Sequence, residues 1–69
     1  MSEYLVVVEK AENNYAAYSP DLPGCAATAA TKDEVLKLMR EAISMHLEGL
    51  KNDGIPIPAP SSSADYIAV

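Results

Sequence analysis

The chain is poor in the residues that staple small folds together. Its 69 residues hold one cysteine and one histidine. A single thiol cannot close an intramolecular disulfide, and one Cys with one His falls short of the four ligands of a structural zinc site. Basic residues are scarce too: five Lys and Arg stand against ten Asp and Glu, a formal net charge of −5. Phosphate contacts need clustered cations, so direct nucleic-acid binding is not expected. No apolar run approaches the roughly 18 residues that cross a bilayer. Met1-Ser2-Glu3-Tyr4 lacks the basic start of a signal peptide. With its lone thiol, the sequence reads as cytoplasmic and free of membrane contact.

What is present is apolar surface. Hydrophobic residues make up 49% of the chain, which argues against disorder. Yet a chain this short buries only about 60% of the surface it exposes when unfolded. With disulfides and zinc set aside, a partner subunit is the remaining source of stability. The expectation is a homo-oligomer, dimer or tetramer. An acidic surface also suits a basic protein partner.

Glu3 to Glu9 is a β-branched run bounded by charge, which predicts a strand. Tyr4, Val6 and Val8 take one face of it, Leu5 and Val7 the other. The polar stretch Lys10 to Asn14 predicts a hairpin turn, and Tyr15 to Ser19 the returning strand. Pro20-Asp21-Leu22-Pro23-Gly24 is a turn cluster, and Cys25 to Ala30 a third strand. Thr31-Lys32-Asp33-Glu34 is a capping box that opens a helix reaching about Asn52. Val35, Leu36, Met39, Ala42, Ile43, His46, Leu47 and Leu50 form its apolar stripe, and Gly54 stands at its C-terminal cap. Ile55 to Pro60 alternates proline and is extended outside any sheet. Ala64 to Val69 predicts a fourth strand.

The order β-β-β-α-β predicts one α+β domain over residues 1–69, with no DNA-binding domain. Its sheet is expected to be mixed and four-stranded, in the order 3-2-1-4, with the last strand parallel to the first. One helix covers only one face of such a sheet. The other face is left for a second subunit, with Leu5 and Val7 as contact candidates and Tyr4, Val6 and Val8 as the alternative set.

The search for chemistry finds no enzyme, cofactor or metal site. No Gly-rich phosphate loop, CxxC, HExxH or GxSxG motif is present. His46 lies in the helix stripe without a nucleophile or orienting group at i±4, so packing explains it better than catalysis. Cys25 follows a turn and reads as a small buried thiol rather than a nucleophile paired with His46 and Asp21. The carboxylates fall at strand ends, turns and the outer helix face, unlike the inward cluster of a two-metal nuclease. The four tyrosines lie on predicted strands. For Tyr18, beside the turn cluster, sheet packing and partner contact weigh about equally.

The segment from Tyr18 through Pro20-Asp21-Leu22-Pro23-Gly24-Cys25 to Thr28, the helical Arg40-Glu41-Ala42-Ile43 and the later Gly54-Ile55-Pro56-Ile57-Pro58 together resemble the HicB family. These are antitoxins of HicA–HicB toxin–antitoxin modules. The resemblance implies a partial RNase H-like fold, β-β-β-α-β, generally without the carboxylate set of RNase H. It implies a partner as well: a small, basic, mRNA-cleaving HicA-type toxin, blocked by protein–protein contact. Tyr18, Asp21, Leu22, Pro23 and Gly24 are the candidates for that partner surface. Full-length antitoxins of the family append a ribbon-helix-helix or helix-turn-helix domain, which these residues do not contain. The alternative reading is an oligomeric, degenerate RNase H-like hydrolase or ligand-binding domain without a toxin, its pocket near Asp21, Cys25 or His46.

Overall fold

The computed structural model describes residues 2–69; Met1, the first residue of the N-terminal stretch and of the expected domain, lies outside them. Three strands, β1 (Val7–Lys10), β2 (Tyr15–Tyr18) and β3 (Ala26–Ala29), precede one helix, α1 (Lys32–Asn52). The sheet is antiparallel, in the order β1-β2-β3. The chain is thus α+β, as its patterning predicts.

β1 and β2 form the expected hairpin. Lys10 faces Tyr15 in register, and the Ala11 amide bonds the Asn14 carbonyl at 2.9 Å across the four-residue loop. The first strand is shorter at its start than the apolar run Glu3 to Glu9. With Val7 opposite Tyr18, Leu5 falls opposite Pro20, which has no amide to give. The ladder stops there. The Ser19 hydroxyl donates to the Leu5 carbonyl instead, at 2.9 Å.

The turn cluster resolves into two consecutive turns. The Leu22 amide bonds the Ser19 carbonyl at 3.2 Å, and the Cys25 amide bonds the Leu22 carbonyl at 3.1 Å. In the second turn Pro23 holds the i+1 position and Gly24, at φ +85°, the i+2 position. That is the type II pattern, where a side chain at i+2 is strained. The two turns direct Leu22 inward, and it is completely buried.

α1 opens on Thr31, whose hydroxyl accepts from the Glu34 amide at 3.2 Å. The Glu34 carboxylate accepts from that same hydroxyl, at 3.0 Å, rather than reaching the Thr31 amide as the capping-box pattern suggests. The helix closes as a Schellman motif. The Ile55 amide reaches the Leu50 carbonyl at 2.9 Å, the Gly54 amide reaches Lys51 at 3.2 Å, and Gly54 takes φ +69°.

α1 packs chiefly over β3 and β2. The buried core is Ala17, Leu22, Cys25, Val35 and Met39, with Tyr4, Val6 and Val8 among the half-buried residues against it. The helix side of the sheet is therefore the Tyr4/Val6/Val8 side. Leu5 and Val7 point to the uncovered face, in register with Tyr18 and Ala26.

The expected fourth strand is not shown in the single chain. Ala64 to Val69 lies outside helix and strand, with every residue exposed, and the described sheet has the three strands β1-β2-β3. Upstream of this segment the chain is tethered at two places. The Tyr4 hydroxyl donates to the Pro58 carbonyl, and Asp21 grips Ser61 and Ser62. Tyr4 precedes β1 and Asp21 lies in the β2–β3 turn.

Candidate partner-binding surface

The turn cluster presents its residues unequally. Tyr18 is 44% exposed despite its place on the central strand, because that side of the sheet has no helix over it. Pro23 and Gly24 are exposed, and Asp21 is half-buried. Leu22 is a core residue, so within the turn it is the anchor that fixes the outward groups and offers no surface itself.

Asp21 is spoken for within the chain. Its Oδ2 accepts the amides of Ser61 and Ser62, each at 3.1 Å, and its Oδ1 accepts their two hydroxyls, each at 2.9 Å. These bonds favour the charged form. The Ser62 amide leads, and the carboxyl is held below its ordinary value of 3.8 against the opposing effect of desolvation. The sequence marks Asp21 as a turn residue and Ser61 to Ser63 as a joint. Nothing in the spacing links two groups forty positions apart.

Beside Tyr18 the uncovered face is floored by small side chains. Ala16, Tyr18, Ala26 and Thr28 line a shallow trough of about 380 Å³. Leu5 and Val7 flank the same face and are half-buried. The trough is open enough to receive a protein side chain and too shallow to enclose a small molecule.

Cys25 and His46 do come together, lining a hollow of about 240 Å³ with Gly24, Ala42 and Met45. Its chemistry is that of a packed thiol. Cys25 is buried, and desolvation pushes its pKa up, the opposite of an activated nucleophile. Every other carboxylate besides Asp21 is exposed. Among the described residues, no three His, Cys, Asp or Glu side chains gather where a metal ion would sit. No described helix is long and apolar enough to cross a membrane.

Residues 4–69 match the model of a family described as a HicB-like antitoxin of bacterial toxin-antitoxin systems. A 14.9 kDa uncharacterised protein of Haemophilus phage HP1, from its rep-hol intergenic region, is 34% identical over 64 residues. That alignment takes in 93% of this chain and 48% of the phage protein, so the chain spans about half the length of that relative. A UPF0150 protein of Archaeoglobus fulgidus is 39% identical over 51 residues, 72% of this chain and 74% of that protein. In three dimensions the fold is similar to a chain of the HicA3 and HicB3 toxin-antitoxin complex. The TM-score is 0.71 at 32% identity, covering 87% of this chain and 70% of that one.

Proposed function

As this chain belongs to the family of HicB-like antitoxins of bacterial toxin-antitoxin systems, we propose that it is an antitoxin module that binds a small basic HicA-type toxin and neutralises it. The observation that carries this reading is the likeness, in sequence and fold together, to a chain of a toxin-antitoxin complex. The action is binding rather than catalysis, exerted by one HicB-like domain over residues 1–69. A net charge of −5 favours encounter with a basic partner.

Tyr18, Asp21, Pro23 and Gly24 form the toxin-facing edge in this reading, held in place by buried Leu22. A phenol standing free beside a rigid double turn has the character of an interface anchor: large, amphipathic and cheap to order. The trough between Tyr18 and Thr28 is the adjoining acceptor. Homo-oligomerisation belongs to the same proposal, with Leu5 and Val7 at the contact. So does a fourth strand, formed once Ala64 to Val69 finds a sheet edge.

The test is genetic and direct. A neighbouring reading frame for a short basic protein is expressed alone and with this chain. Co-expression restores growth if the reading holds, and arrest that persists with both proteins present refutes it.

A further inference from the structure

Cys25 and His46 share their hollow with a third side chain that carries a donor atom, Met45. Counting only histidine, cysteine and carboxylates, the place holds two donors. The Met45 thioether makes three: two sulfurs and one imidazole. The rest of the wall is Gly24, Ala26 and Ala42, whose side chains have no polar atom. Among the described residues no carboxylate borders it.

The helix brings two of these donors together. Met45 and His46 stand three and four positions beyond Ala42, the two spacings that place side chains on one patch of a helix surface. Helical side chains lean toward the N-terminus, so both lean over the turn that holds Ala42. With only a methyl group at position 42, space remains beneath them. Met45 is 72% exposed, and its unbranched chain lets the thioether turn to meet a ligand.

The third donor is fixed from the opposite side. The Cys25 amide bonds the Leu22 carbonyl, and the Cys25 carbonyl accepts the Ser19 amide, each at 3.1 Å. The main chain at Cys25 is thus held at both of its polar groups, and its free thiol borders the hollow. Gly24 adds room, since a methyl group placed there would meet nothing within 4 Å. The hollow measures about 240 Å³, far more than the roughly 10–15 Å³ that one water-sized occupant needs.

We propose that this hollow binds one soft monovalent metal ion, copper(I), through the Cys25 thiolate, the Met45 thioether and a ring nitrogen of His46. Thiolate and thioether are the ligands that select copper(I), and imidazole suits copper as well. Magnesium and calcium call for oxygen ligands, and a structural zinc site closes with four. A thiol that is inert as a nucleophile remains a ligand, because the metal itself displaces the proton. The Cys25 sulfur gives that proton to solvent and forms the metal–sulfur bond with the electron pair left behind. The ion keeps its oxidation state, and its charge cancels that of the thiolate, which suits a site at a buried residue. This goes beyond the antitoxin reading and does not depend on a toxin being present.

The experiment titrates the full reduced chain with copper(I), in the absence of oxygen and in competition with a chromogenic copper(I) chelator. Amide chemical shifts are followed alongside. The expected result is one ion per chain, with shifts concentrated at residues 24–26 and 42–46. Cys25→Ser is expected to abolish uptake, with circular dichroism to check that the fold is retained. Met45→Leu and His46→Gln change positions outside the buried core. Each is expected to weaken binding at least about tenfold, since disturbing even an outer partner of a metal ligand costs that much. Zinc(II) at equal concentration is expected to leave the copper in place. A parent that takes no copper from the chelator overturns the proposal, as does a folded Cys25→Ser protein that still takes it. So does a Met45→Leu or a His46→Gln protein that binds as the parent does, which would leave only a thiol adduct, and so does zinc that displaces the copper.

Discussion

Asp21 and Ser62, forty-one positions apart, are joined twice: amide to Oδ2 at 3.1 Å and hydroxyl to Oδ1 at 2.9 Å. The pair ties the β2–β3 turn to the chain beyond the helix. It also spends, inside the molecule, the carboxylate that stands most prominently in the turn.

This clamp is pH-dependent, and its sign follows from the lowered pKa of Asp21. A carboxyl whose folded-state value lies below its unfolded one contributes stability that is fully present above the unfolded value. The contribution is lost as pH falls through the depressed folded value. The bonds to Ser61 and Ser62 are therefore intact at neutral pH and released only below the ordinary carboxyl value of 3.8. Amide chemical shifts of Ser61 and Ser62 followed through an acid titration are expected to move together in that range. Asp21→Asn is expected to show the released shifts already at pH 7, and parent-like shifts in that variant would show that charge is not what holds the joint.

Leu22→Ala tests whether the turn is part of the core. Leu22 is wholly buried, so truncation is expected to cost about 2–5 kcal/mol. A single core of this size supplies only about 3–5 kcal/mol. Urea denaturation is expected to find the variant largely unfolded or close to it, whereas Pro23→Ala, an exposed neighbour, shifts the midpoint far less.

Thr31→Ala isolates the helix start. The Thr31 hydroxyl both accepts the Glu34 amide and donates to the Glu34 carboxylate. Its loss is expected to destabilise the protein by about 1 kcal/mol, read as a lower denaturation midpoint at unchanged slope.

Local chemistry made some of this fold legible and non-local chemistry hid the rest. The helix could be read because its signals, Thr31 with Glu34 at one end and Gly54 at the other, lie within a turn of the residues they cap. The hairpin and the alternation of its faces could be read for the same reason. Which face the helix covers could not: Leu5 and Val7 are as apolar as Tyr4, Val6 and Val8, and only packing against α1 separates them. Leu22 had a faint signal, a lone large apolar residue between two prolines, while the Asp21–Ser62 contact had none. Ala64 to Val69, just beyond it, has the composition of a strand and yet lies exposed outside helix and strand.

Cys25 offers a chemical check on the alternative, catalytic reading of its hollow. Burial raises its thiol pKa, so little thiolate exists at neutral pH. Alkylation by iodoacetamide is expected to be slow in the folded protein and to accelerate sharply in denaturant. Cys25→Ala is expected to neutralise a toxin as well as the parent does. Rapid labelling of the native protein, or a loss of neutralisation in the variant, would restore the thiol to consideration as a working group.

Tyr18 separates partner contact from sheet packing, the two roles its position allows. It is 44% exposed, on the face opposite α1, so its side chain can be shortened without opening the core. Tyr18→Ala is expected to stay within about 0.5 kcal/mol of the parent in stability, as surface substitutions do. At an interface the same ring acts as an anchor, and loss of an anchor costs about 2 kcal/mol or more, which is above the roughly 1.4 kcal/mol that makes a tenfold change in affinity. Titration calorimetry against the neighbouring basic protein is therefore expected to show binding weakened more than tenfold, beside an unchanged urea midpoint. A variant that loses stability and affinity in equal measure would make Tyr18 a packing residue, and the toxin-facing edge would then rest on Asp21, Pro23 and Gly24.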